Sequence, residues 1–184
     1  MDVRDPSRAR KAIIAVCAVS AFLQLALAPH ISILGGTVNF MVVLALTTAP
    51  AFDVRSAVLI GFFAGLFYDL TSPVPVGLMS LVLTVACFAE STFSHGLGGD
   101  FSADSLRLIL SAVVLVNMGY AVALFALGVE TSLLEALLGH GLTCSVLDGL
   151  VVVPFLLFGS VSESKKGFSA RSKGGRLKPY KSLK

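Results

Sequence analysis

The chain has 184 residues, of which 55% are hydrophobic and only 14% are charged, and its net charge is +3. Soluble domains carry about 25% charged residues, so this composition excludes a water-soluble enzyme and a disordered chain. It leaves an integral membrane protein, which we expect to be all-α.

The basic residues are concentrated at the two ends of the chain. Of the 14 Lys and Arg, four precede residue 12 and eight follow residue 160, and only Arg55 and Arg107 lie between. A basic chain can indicate nucleic-acid binding, but this placement is more typical of membrane-topology signals and of contact with anionic lipid. We therefore expect anionic lipid at the basic tail and no nucleic-acid partner.

The sequence has no pattern typical of catalysis or of a metal site. Cys17, Cys87 and Cys144 lie in apolar runs, where small packing residues are expected. His140, Cys144 and Asp148 share a helical face, but a metal would need a third strong ligand. Neither a nucleophile triad nor a phosphate-binding loop is present. We expect a protein that is not an enzyme and has no metal or cofactor.

Six apolar runs follow one another along the chain. The first, residues 12–28, is interpreted as a retained helix rather than a signal peptide, because Pro29 would directly follow the cleavage motif. Two prolines after the third run and a Gly-rich loop at 95–104 after the fourth are typical of breaks between helices. The other five runs are 38–52, 56–70, 76–89, 106–127 and 139–158.

The number of spans and their orientation follow from run length and charge. A helix needs about 20 residues to cross the hydrocarbon core, and the second to fourth runs are shorter, so four spans are the alternative to six. With six spans, all Lys and Arg lie on the cytoplasmic side. The sequence thus predicts a basic cytoplasmic N-terminus (1–11), a six-helix transmembrane domain (12–158) and a basic cytoplasmic tail (159–184).

The third run contains a row of small and polar residues at four-residue spacing. Gly61 and Gly65 form a G-x-x-x-G pattern, which lets two helix backbones approach closely. We expect helix packing there rather than ligand binding. Asp69 continues the row and is predicted to be an interfacial cap that accepts hydrogen bonds from the Thr71-Ser72 turn; contact with a partner or a ligand is the alternative.

Several polar residues are expected at membrane depth, where they usually face protein or water. Asp148 lies near the middle of the sixth run, and Asn117 lies at a matching depth in the fifth. We predict that Asn117, or Tyr120 one turn further on, hydrogen-bonds to Asp148. A proton or cation site at Asp148 is the alternative. Gln24 and Asn39 are further candidates for joining helices.

The order of these residues resembles that of the MreD family, the rod shape-determining membrane proteins of bacteria. The resemblance covers roughly residues 12–158, and Val38 departs from it because the family more often has Pro there. The matching residues, in chain order, are Gln24-Leu25, Asn39-Phe40, Pro50, Gly61-Phe62, Gly65, Asp69-Leu70, Gly77, Asp148-Gly149 and Pro154.

The resemblance implies a non-enzymatic scaffold of the cell-elongation machinery, involved in cell shape and peptidoglycan synthesis. The implied fold is similar to the substrate-binding component of vitamin uptake transporters. Asn39, Gly61, Gly65, Asp69 and Gly77 would then serve helix packing or partner contact. The implied location is the bacterial plasma membrane, with several spans and both termini in the cytoplasm.

The implied partners are an MreC-like membrane protein and the wall-elongating glycosyltransferase and transpeptidase complex. An MreB-like filament is a further candidate for the tail, and the sequence leaves a homodimer open. The alternative function is that of a solute-binding membrane subunit of a vitamin uptake transporter, which would need a midplane pocket with convergent polar groups. A small lipid-processing enzyme is less favoured because no catalytic set is evident.

Overall fold

The computed structural model describes residues 6–33, 36–73, 75–94 and 103–170. The first residues of the predicted N-terminal segment, most of the predicted Gly-rich loop at 95–104 and the end of the predicted tail lie outside these ranges. Within them the chain is mostly helical. The helices are α1 (Pro6–Ala26), α2 (Phe40–Thr48), α3 (Val54–Thr71), α4 (Leu78–Ser94), α5 (Ala103–Ala126), α6 (Leu133–Glu135) and α7 (Thr143–Ala170).

Short elements join or extend these helices. Single 3₁₀ turns follow α1 (Ala28–His30) and α2 (Ala49–Ala51). Strands β1 (Ser32–Ile33) and β2 (Gly36–Thr37) form an antiparallel hairpin between α1 and α2, with Ser32 opposite Thr37. A π-helical segment, Ala136–Leu142, links α6 to α7 without a break.

Three helical stretches are long and apolar enough to cross a membrane, and shorter apolar helices lie at the other three predicted positions. Large apolar side chains are exposed on α1, α3, α4, α5 and α7, as expected for helices that face lipid rather than water. The three long stretches are Val54–Thr71, Asp104–Ala126 and Leu133–Leu156.

The structure corrects the predicted architecture in several details. The hairpin between α1 and α2 was not predicted, but the described chain remains mostly helical, which is consistent with an all-α membrane protein. The fourth helix does not end near Ala89 but continues to Ser94. The last helical stretch begins at Leu133 rather than Gly139, and it contains a π-helical segment. Its final part, α7, extends to Ala170, beyond the end of the sixth apolar run at residue 158.

Helix α2 lies at the centre of the bundle. All seven residues from Phe40 to Leu46 are buried, because a helix that is apolar on every face must be covered on every face. It packs against α1, α3, α4, α5 and α7. At its C-terminal end the hydroxyls of Thr47 and Thr48 donate to carbonyls one turn earlier, and Pro50 in the 3₁₀ turn ends the helix.

The α3–α4 pair is the most closely packed helix pair, and glycines make this possible. A Cβ added at Gly65 would lie 2.6 Å from the Ser80 backbone nitrogen, and one added at Gly61 would lie 2.6 Å from the Leu83 carbonyl oxygen. Both distances are shorter than any normal van der Waals contact. The G-x-x-x-G pattern therefore packs directly against the backbone of α4.

We expect Gly65→Ala to destabilise the purified protein by roughly 1–3 kcal/mol, because the added methyl meets backbone that cannot move without separating α3 from α4. Gly119→Ala in α5 is the matched control, since nothing lies within 4 Å of a Cβ there. It should leave stability unchanged or raise it slightly. Thermal unfolding of both variants in the same detergent measures the difference, and equal midpoints would contradict close α3–α4 packing.

Candidate functional site

The candidate site is the buried N-terminal end of α2 together with a cavity beside it. The first four N–H groups of any helix have no acceptor within the helix. In α2 these belong to residues 39–42, all of them buried. Because buried N–H groups must be paired, this helix end needs acceptors from elsewhere.

Three side chains supply the acceptors. The Asn39 N–H donates to Asp148 Oδ1 at 2.7 Å, and the Phe40 N–H donates to Gln24 Oε1 at 2.9 Å. The next two N–H groups, of Met41 and Val42, donate to Asn39 Oδ1 at 3.1 and 3.2 Å. Side chains from α1, from α7 and from Asn39, the N-cap residue of α2, thus satisfy all four donors.

The second oxygen of Asp148 joins α5 to this cluster. Asn117 Nδ2 donates to Asp148 Oδ2 at 3.0 Å and also to the Val113 carbonyl at 3.2 Å. The hydrogen bond predicted between Asn117 and Asp148 is therefore present. Asp148 is fully buried, and its carboxylate lies at the positive end of the α2 dipole, which favours an acidic group. Capping of α2 thus accounts for one of its oxygens, and the hydrogen bond from Asn117 accounts for the other.

Tyr120 does not take the role predicted as the alternative to Asn117. No hydrogen bond joins it to Asp148 among the described residues, and its hydroxyl is buried without a hydrogen-bond partner there. Its ring packs edge-on against Tyr68, with 6.1 Å between the ring centroids. Tyr120 therefore borders the cavity rather than completing the polar cluster.

Asp69 caps the start of the next helix in the same way. Its carboxylate accepts hydrogen bonds from the N–H groups of Gly77 at 2.9 Å, Met79 at 3.1 Å and Ser80 at 3.0 Å. The prediction that the Thr71-Ser72 turn supplies the donors is wrong. The chain bends back past that turn and places the first turn of α4 next to Asp69. Gly77 has a φ of +101°, which favours glycine at this bend.

A cavity of about 360 Å³ lies beside the α2 N-terminus. His140 in the π-helical segment lines it, and the His140 Nδ1 lies 3.6 Å from Glu130 Oε1. Within the described residues, no group of three His, Cys, Asp or Glu side chains could hold a metal ion. The polar side chains around the cavity are those of Gln24, Thr37, Asn39, Tyr68, Thr71, Ser72, Asn117, Tyr120 and His140.

The burial of Glu90 was not predicted, because Glu90 was interpreted only as the end of an apolar run. The structure places Glu90 within α4, 3% exposed. The spacing carries a signal for this, because Leu83, Cys87 and Glu90 follow the i, i+4, i+7 pattern of one helix face. All three are buried.

No protein-family model, curated protein or solved structure matches this chain.

Removal of Asp69, the buried cap of α4, should lower the free energy of unfolding far more than removal of an exposed helix cap. Asp69→Ala leaves three N–H groups of α4 without their acceptor, and we expect a loss of roughly 1–3 kcal/mol. The matched control is Asp53→Ala, because Asp53 is an exposed N-cap of α3 and accepts from the Ser56 hydroxyl at 2.7 Å. These bonds with Ser56 lower the pKa of the Asp53 carboxyl.

Water can replace the Asp53 cap, so its removal should produce the smaller shift in thermal midpoint. The two variants are compared by unfolding of the full chain in one detergent. A shift for Asp53→Ala as large as that for Asp69→Ala would contradict the assigned role of Asp69.

Exchange of the two side chains of the Asn117–Asp148 pair should destabilise the protein less than substitution of either residue alone. Asp148→Asn places two amide NH₂ groups against each other, and Asn117→Asp places two carboxylates together, so each should destabilise the protein by roughly 1–3 kcal/mol. The double exchange restores one donor and one acceptor. A double-mutant cycle of unfolding midpoints tests this, and strictly additive losses would contradict the bond.

Proposed function

We propose that this protein is a multi-pass membrane scaffold of the bacterial cell-elongation machinery, similar to MreD proteins. The observation that carries the proposal is the use of the polar groups inside the bundle. Gln24, Asn39 and Asp148 cap α2, Asn117 binds Asp148, and Asp69 caps α4. Groups engaged in this way hold helices together, which favours a scaffold over an enzyme.

We propose six spans with both termini in the cytoplasm. Helix α2 with its 3₁₀ turn is about 18 Å long at 1.5 Å per residue, less than the hydrocarbon core. A helix wholly enclosed by other helices need not reach both surfaces, because its ends are satisfied by protein. Arg55 is the second residue of α3 and Arg107 is the fifth residue of α5. Both helices begin on the same side in this topology, as the preference of basic residues for the cytoplasm requires.

The proposed partners follow from this placement. The apolar side chains exposed on the helices are available to lipid and to transmembrane helices of an MreC-like protein or of the wall-elongating complex. The basic tail would contact anionic lipid of the inner leaflet, with about 1 kcal/mol per Lys or Arg near the surface. An MreB-like filament is a further proposed partner for the tail.

Solute binding is the second candidate function, and the cavity of about 360 Å³ favours it. Its volume lies within the range of small-molecule sites. However, the amide oxygens of Gln24 and Asn39 and the amide nitrogen of Asn117 already serve α2 or its cap. The other polar side chains around the cavity are mostly hydroxyls, those of Thr37, Tyr68, Thr71, Ser72 and Tyr120, with the His140 imidazole. A stoichiometric small molecule released from the purified chain on denaturation, identified by mass spectrometry, would favour this function.

Depletion of the protein in the bacterium that carries it tests the scaffold. We expect rod-shaped cells to become round and labelled wall precursors to lose their organised incorporation along the cell cylinder. Expression of the wild-type chain or of Gly119→Ala should restore the rod. Cells that keep their shape and wall pattern after depletion, yet lose uptake of a vitamin, would contradict the scaffold and support the second candidate.

A further inference from the structure

An apolar groove runs along the outer face of α4 and α5. Its volume is about 630 Å³. Leu81, Phe93 and Leu115 border it, and each is more than 60% exposed. Between these larger side chains lie small ones, including Ala89 and Ala112. Small residues of this kind allow a second helix backbone to approach closely.

Glu90 lines this groove and has no hydrogen-bond partner in the part of the chain that the structure describes. It is 3% exposed, and neither carboxylate oxygen has a hydrogen-bond partner among the described residues. Asp69 and Asp148, the other buried acids among the residues whose burial is described, accept three and two hydrogen bonds respectively. Burial of a carboxylate without a partner costs free energy. No described residue at the groove supplies a hydrogen-bond partner that would compensate Glu90.

We propose that the groove binds a transmembrane helix of a partner protein that carries a Lys or Arg facing Glu90. This inference rests on the proposed scaffold function, because the topology proposed above places Glu90 near the cytoplasmic end of α4. Lys and Arg are concentrated at that end of transmembrane helices. The partner's cation would approach Glu90 at the depth where such cations occur, and the carboxylate, whose oxygens are buried in the isolated chain, would turn toward it.

The shape of the groove fits a helix. From Leu81 to Phe93 it extends along α4 by about 18 Å, which corresponds to about three turns of an approaching helix. A lipid acyl chain would fill the apolar part of the groove but would leave the Glu90 carboxylate unpaired. The combination of small residues and an unpaired buried acid therefore favours a helix that brings its own cation.

The stability of the isolated protein separates this role from a structural one. Because Glu90 makes no hydrogen bond among the described residues, Glu90→Gln should leave the thermal midpoint unchanged, and Glu90→Leu should raise it. Asp148→Leu, which removes the cap of α2, should lower it sharply. A large loss of stability in both Glu90 variants would overturn the proposal, because Glu90 would then support the fold itself.

Photocrosslinking of the full chain in native membranes tests the partner. A photoreactive amino acid replaces Leu115 in the groove, or Leu59 on α3 as the control at an equally apolar, exposed position. We expect the Leu115 probe to be joined to a peptide from one transmembrane helix that contains a Lys or Arg, and the Leu59 probe to give no such product. Glu90→Gln should lower the yield about tenfold.

Exchange of the charges completes the test. Glu90→Lys should abolish the crosslink, and replacement of the partner's basic residue by Glu should restore it. The proposal is overturned by products with lipid only, with the tail of this chain or with a second copy of it, and by a yield that Glu90→Gln does not change.

The outcomes for the groove and for the scaffold are distinguishable. Cells that lose rod shape on depletion, without any Glu90-dependent crosslink, would keep the scaffold and exclude the groove as its contact surface. Cells that keep rod shape while the crosslink forms would exclude the role in elongation and leave the groove as a helix-binding surface of another assembly.

Discussion

The bundle is organised around the four N–H groups at the start of α2. This helix is buried because it is apolar on every side, and its burial removes water from the one end where its backbone is unpaired. Each N–H must then find an acceptor in the protein. Gln24 from α1 and Asp148 from α7 meet this demand, so the first and last helices are fixed to the centre by the same requirement.

Hydrophobic periodicity and residue spacing predicted much of this arrangement. The apolar runs located the helical stretches, the matching depths of Asn117 and Asp148 predicted their hydrogen bond, and Gly61 and Gly65 indicated close helix packing. The role of Asp148 as the cap of α2 could not be predicted in this way. Its other partner, Asn39, lies 109 residues away, and such a contact depends on how the whole chain packs.

The local predictions that were wrong, for the last helical stretch and for the donors to Asp69, also failed for physical reasons. A π-helical segment has i→i+5 hydrogen bonds where an α-helix has i→i+4 bonds. The seven residues of Ala136–Leu142 are too few for hydrophobic periodicity to distinguish the two. The donors to Asp69 were misassigned because the nearest residues in sequence are not the nearest in space. The Gly77 bend returns the chain across Asp69, and this geometry depends on the α3–α4 contact that the two glycines permit.

The capping of α2 and α4 also shows how Glu90 differs from the other buried acids that the structure describes. The other buried carboxylates among the described residues, those of Asp69 and Asp148, lie at helix N-termini, where backbone N–H groups and the helix dipole compensate their charge. Glu90 lies near the C-terminal end of α4, where the dipole disfavours an acid and the carbonyls offer no donors. A group that breaks a rule obeyed elsewhere in the same protein is typical of a functional position. Because the backbone cannot supply a donor at that end of a helix, a donor for Glu90 has to come from a side chain or from another molecule.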